Sequence, residues 1–288
     1  MSVPHDDHDT PPRDQRGELT ADSPPVAAPS ALAMQNRLLA SSEWRVVVRI
    51  DTFARSVRLL EANAEELRRA VHYLTEDPRS FLLQAVDAKE ERDRWLNEVG
   101  RLLHNVLAAV KTLVDHTNAL HKALYPSGEK FQDYTDRKRT LGQVPLVRFV
   151  QELRNLHLHW KLPNIVYVDR PGPGHTRTRH VVLARDELLT WNGWTATARS
   201  FLRDGPEDVE IAPVIEQYVT LIRDFYQWFA GRLEEVHASE YTSVNGQLAA
   251  LRRADAPHVF ASLRESAGLV EGGGHVHRCR SRTMDAGR

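Results

Sequence analysis

Three apolar stripes of helical period limit what this chain can become. Phe53, Val57, Leu60, Ala64, Leu67, Val71 and Leu74 recur at alternating steps of four and three residues. Leu96, Val99, Leu103, Val106, Val110 and Leu113 do the same. Ile211, Val214, Tyr218, Leu221, Phe225, Phe229, Leu233 and Val236 form a third stripe. A helix turns once in about 3.6 residues, so each series lies on one face. Such stripes suit helices packed lengthwise on one another. The expected fold is therefore mainly α, an up-down helical bundle. Asp77-Pro78 separates the first two helices, because proline cannot continue the hydrogen-bond ladder and restricts its predecessor. Tyr125-Pro126-Ser127-Gly128 ends the second.

Residues 144–160 predict a fourth helix, with Pro145 in its first turn and Pro163 stopping it. Val147, Val150, Leu153 and His157 or Leu158 supply its inward face. The pattern then changes. Ile165-Val166-Tyr167-Val168 and Thr178-Arg179-His180-Val181-Val182-Leu183 flank a Pro/Gly loop, which predicts a small β-hairpin insertion at about 164–184. From Asp186 the chain is helical again, with a break near Asn192-Gly193. Trp191, Trp194, Tyr226 and Trp228 are expected in the bundle core. Residues 1–34 form a Pro-rich tail and residues 256–288 a Gly-containing one. Both lack the apolar content to offset their ordering entropy and are expected to be disordered. The bundle is expected over 35–255.

Composition removes several classes of function. The formal net charge is −1, which argues against a polyanion binder that uses its whole surface. The single cysteine, Cys279, excludes an internal disulfide framework. His275 and His277 beside it lack a fourth metal ligand, and no metal or cofactor is expected. No phosphate-binding glycine loop and no nucleophile elbow is present. Without an export signal or a bilayer-length apolar run, a cytoplasmic protein that does not enter the membrane is expected.

The most informative string is Leu153-Arg154-Asn155-Leu156-His157-Leu158-His159. It sets a permanent cation, an amide and two imidazoles within six residues. RNA phosphodiester cleavage needs such groups. A base takes the ribose 2′-hydroxyl proton, an acid protonates the leaving 5′-oxygen, and a cation stabilises the charge that builds on phosphorus. Histidine serves either proton-transfer role. Arginine forks onto phosphate oxygens. On a regular helix, Arg154 and His159 diverge by roughly 140°. They can converge only through a helix distortion, a long reach or a second subunit.

Arg-polar-x3-His, here Arg154-Asn155 to His159, resembles the signature of the HEPN superfamily of helical bundles. The longer string LRNLHLHWKLP is similar to a pattern of uncharacterised bacterial proteins of that type. The resemblance covers roughly residues 45–240. It implies a metal-independent endoribonuclease, used for example as a toxin or defence effector, with its site between two facing subunits of a homodimer. Arg154 and His159 would be catalytic, with Asn155 orienting them. At least two other Arg-x4-His pairs occur and fit less well. Arg170 to His175 spans the Pro/Gly loop, and Arg232 to His237 has Leu233 in place of the polar residue.

Charge supports an RNA partner. Residues 135–185 hold ten Lys/Arg against three acids, a net of +7 inside a chain of −1. Arg148, His157, Lys161, Arg177 and Arg179 are the expected substrate-binding residues. Trp160 and Tyr167 flank the string and are expected in the core, base stacking being the other use of such rings. The rival reading is a non-catalytic helical interaction module that binds a protein or RNA partner. Its mark would be Arg154 and His159 both buried and hydrogen-bonded within one subunit.

Overall fold

A computed structural model describes residues 30–127, 132–172 and 177–254. Residues 1–29 of the expected N-terminal tail, residues 128–131, residues 173–176 with His175, and residues 255–288 with His275, His277 and Cys279 lie outside the described residues. The fold is helical with a small antiparallel sheet. Helix α1 spans Ala31–Ala40 and α2 spans Ser42–Glu76. Two 3₁₀ stretches, Pro78–Gln84 and Val86–Ala88, lead into α3, Lys89–Leu124. Then come α4 (Gln132–Gln143), α5 (Pro145–His159), β1 (Ile165–Pro171) and β2 (Arg177–Ala184). Helices α6 (Arg185–Leu189) and α7 (Ala196–Asp204), strand β3 (Asp208–Glu210), α8 (Ile211–Val236) and α9 (Ala238–Arg253) complete the chain.

Helices α2 and α3 run antiparallel, each about 50 Å long at 1.5 Å per residue. Tyr73 stacks on Trp95 at one end, and Ser56 Oγ meets His116 Nδ1 at 2.5 Å further along. Their stripes close on each other. Phe53, Leu60, Leu67, Val71 and Leu74 are buried, as are Val99, Leu103, Val106, Val110 and Leu113. The turn between them is capped from its own sequence. Asp77 accepts the Arg79 N–H at 2.9 Å, and Ser80 Oγ donates to Leu74 O at 3.0 Å.

The third stripe is the inner face of α8, shifted from its expected set. Leu221 is exposed, and Ile215, Ile222 and Tyr226 are buried beside Tyr218, Phe225, Phe229 and Leu233. A long helix follows 3.6 residues per turn and drifts off a 3.5-residue repeat. Phe229 meets the ring of Phe53 edge-on at 5.2 Å, locking α8 to α2.

The hairpin forms as expected, with register Ile165↔Leu183 through Pro171↔Arg177. Strand β3 adds to it, with Val209 opposite Leu183. Helix α1 starts at Ala31, inside the expected tail, where Ser30 Oγ accepts the Ala33 N–H at 3.2 Å. Trp194 and Tyr226 are buried, and Trp191 and Trp228 pack against the core. Among the described residues no helix is long and apolar enough to cross a membrane.

Candidate active site

Helix α5 carries the Arg-Asn…His string and is held on several sides. Pro145 occupies its first turn. Leu146, Val147, Phe149, Val150, Leu153 and Leu156 are buried. Phe149 stacks on Phe201 of α7 at 4.8 Å and on Trp194 at 5.5 Å. Glu152 is buried, and its carboxylate accepts the Thr195 N–H at 2.7 Å, tying α5 to the start of α7. The helix ends where the N–H groups of Trp160 and Lys161 both donate to Leu156 O, at 3.0 and 3.2 Å. In its last turn Leu156 and His157 are buried while Leu158 and His159 reach solvent.

Within the string the polar groups separate. Arg154 and Asn155 are half-buried, and Arg154 Nη1 donates to Asn155 Oδ1 at 3.1 Å. Arg154 Nε is buried without a hydrogen-bond partner. His159 is exposed on the final turn. The helix is unbroken from Pro145 to His159, so Arg154 and His159 point apart by roughly 140°. One chain does not bring them onto one face.

His157 turns inward instead. It is only 7% exposed, and its ring lies 5.9 Å from that of His104 on α3. Its Nδ1 is buried and unpartnered. Burial, with a smaller contribution from His104, pushes its pKa down to about 4. His157 and Arg154, three residues apart, share a side of α5, and each carries an orphan nitrogen there. His104 has no place in the motif. Its one sequence signal is its position directly after Leu103 on the edge of the α3 stripe.

The expected substrate-binding cations divide into two groups. Arg148 is half-buried, and among the described residues neither it nor Arg154 has a carboxylate partner. Lys161 pairs with Glu187 at 2.8 Å and sits over the Trp160 ring at 4.6 Å. Arg177 pairs with Asp169 across the hairpin at 2.8 Å. Arg179 crosses to the α2–α3 turn and donates to Asp77 O at 3.2 Å and to Ser80 Oγ. Arg170 pairs with Asp208, and Arg139 with Asp136. The Asp136 and Asp169 pairs are already counted in the local +7; of that excess, Lys161 and Arg170 are met by carboxylates from beyond the stretch.

The comparisons with known proteins decide nothing further. No protein-family model, curated protein or solved structure matches this chain.

Two other placements bear on the site. His237, the histidine of the Arg232 pair, is buried at the α8–α9 junction. It bonds to Tyr125 Oη at 2.8 Å and Glu240 Oε1 at 3.0 Å, which is a structural role. A cavity of about 310 Å³ opens between α2, β2 and the start of α8, lined by Arg68, His72, Arg179, His180, Glu210 and Glu216. Its charges offset each other, with His180 Nδ1 on Glu210 at 3.0 Å, and no residue of α5 lines it. Among the described residues no cluster of three or more His, Cys, Asp or Glu forms a metal site.

Proposed function

We propose that this chain is a metal-independent endoribonuclease of HEPN type, acting in the cytoplasm as a homodimer. The observation that carries this reading is Arg154. Its guanidinium is oriented by Asn155 and, among the described residues, left without a carboxylate, a costly arrangement unless an anion completes it. Arg154 grips the scissile phosphate and Asn155 keeps it in place. His159 of one copy faces Arg154 of the other, because the regular helix holds the two apart within one chain. His159 takes the 2′-hydroxyl proton as the 2′-oxygen bonds to phosphorus. The bond to the 5′-oxygen then breaks, and that oxygen receives a proton. The products are a 2′,3′-cyclic phosphate and a 5′-hydroxyl.

The test is RNA cleavage by the purified chain in EDTA. Arg154→Ala and His159→Ala should each remove activity while the fold is retained. An equimolar mixture of the two variants should regain part of it, since a mixed dimer contains one intact Arg154–His159 pair. Absence of cleavage by the wild type, or full cleavage by either variant, refutes the reading. The second reading, a non-catalytic module for a protein or RNA partner, is favoured by the internal pairing of the hairpin cations. RNA or protein binding without cleavage is its signature.

A further inference from the structure

Trp160 does not behave like the other tryptophans of this chain. Trp44 and Trp194 are buried, and Trp95, Trp191 and Trp228 pack against the core. Trp160 is 44% exposed, against the expectation that it joins the core. It follows His159 directly and caps the end of α5. Its backbone N–H closes the last turn on Leu156 O, and Lys161 lies over the ring while its ammonium pairs with Glu187. Leu158 and Leu162, 43% and 70% exposed, flank it.

We infer that the Trp160 indole, braced by Lys161, is a stacking platform for an unpaired RNA base beside His159. This rests on the reading of the chain as an RNA-acting protein and names its substrate as single-stranded. Two features favour a nucleic acid over a protein. From Leu153 to Asn164 the chain carries no acid, and with His157 buried and Lys161 held by Glu187, the polar groups left at this end of α5 are the Arg154 guanidinium and the exposed His159. The apolar area is also small. An aromatic side chain presents on the order of 200 Å² in all, so three partly exposed side chains offer far less than the roughly 800 Å² per partner of a stable protein interface. One aromatic face matches one base. Stacking on such a face tolerates any base sequence and requires that the base be unpaired, since a duplex keeps its bases stacked on each other.

The experiment measures binding of a fluorescently labelled single-stranded RNA, and of the duplex containing it, to the full chain in EDTA. Wild type, Trp160→Ala, Trp160→Phe and His159→Ala are compared, each with its sedimentation mass. Trp160→Ala should weaken single-strand binding by about 10-fold or more. Trp160→Phe should retain most of the affinity, and duplex binding should be weaker and indifferent to residue 160. Equal single-strand binding by wild type and Trp160→Ala overturns the proposal, as does a wild type that binds no RNA. A dimer that falls to monomer in Trp160→Ala also overturns it and makes the patch a protein contact. The nuclease reading fails separately: RNA that binds through Trp160 and is never cut leaves the platform standing and removes the catalysis.

Discussion

The hairpin, residues 164–184, and the α5 stretch, residues 145–161, are equally basic in sequence, and the fold treats them in opposite ways. On the hairpin, Arg177 is matched by Asp169, Arg170 by Asp208 and Glu210, and Arg179 by the backbone and hydroxyl of the α2–α3 turn. On α5, among the described residues, neither Arg148 nor Arg154 has a carboxylate partner, and Arg154 has the neutral Asn155 amide. A cation with a partner already in the folded chain has little left for an external phosphate. An unmatched one keeps its donors available. The local excess of positive charge therefore locates the site less well than the pairing does.

The largest test of this contrast is cleavage itself. Arg154→Ala should lower the rate by roughly 10²–10⁴-fold, the scale of one positioned catalytic group. Arg177→Ala should change it by less than about 2-fold, since its charge is already matched. Equal losses in the two variants would erase the distinction between the regions.

The next effect is on stability and concerns His157. Its folded pKa of about 4 lies below the ordinary 6.5, so the folded state favours the neutral ring. Its stabilising contribution is complete above 6.5 and is lost as pH falls from there toward 4, where the unfolded chain takes up the proton first. The loss should be on the order of 2–3 kcal/mol. Denaturant titrations between pH 4 and 7 should show it in wild type, and the slope over that range should flatten in His157→Leu.

A smaller loss is expected at Arg179. Arg179→Ala frees two acceptors at the α2–α3 turn and should cost about 1–2 kcal/mol with cleavage intact, read as a lower Tm beside an unchanged rate. The smallest concerns Arg177→Ala again. It removes an exposed ion pair and should move stability by at most about 1 kcal/mol, less in high salt. A larger loss there would mean that the hairpin charges do more than balance each other.

The long elements were legible because periodicity is a local property. The stripes of α2 and α3, the Pro145 start of α5 and the hairpin around the Pro/Gly loop all follow from residues close in sequence. Helices α1 and α4 and strand β3 were not. Helix α4, with Asp136, Arg137, Lys138 and Arg139 in sequence, shows no apolar stripe. Strand β3 has three residues and exists because β2 offers it an edge. In the site, the motif pointed to Arg154, Asn155 and His159, while His104 came from a helix some fifty residues earlier.

By itself the sequence determined a mainly helical chain with a small sheet, since apolar side chains at helical spacing must be buried together. It also placed an arginine, an amide and two histidines on one short helix. Only the tertiary structure decided how those groups divide. It turned His157 inward to His104, left His159 and Trp160 in solvent and, among the described residues, kept Arg154 without a counter-charge. Those outcomes depend on which distant surfaces meet: burial decides the charge state of His157, and the carboxylates that fold back on the hairpin decide which cations stay free.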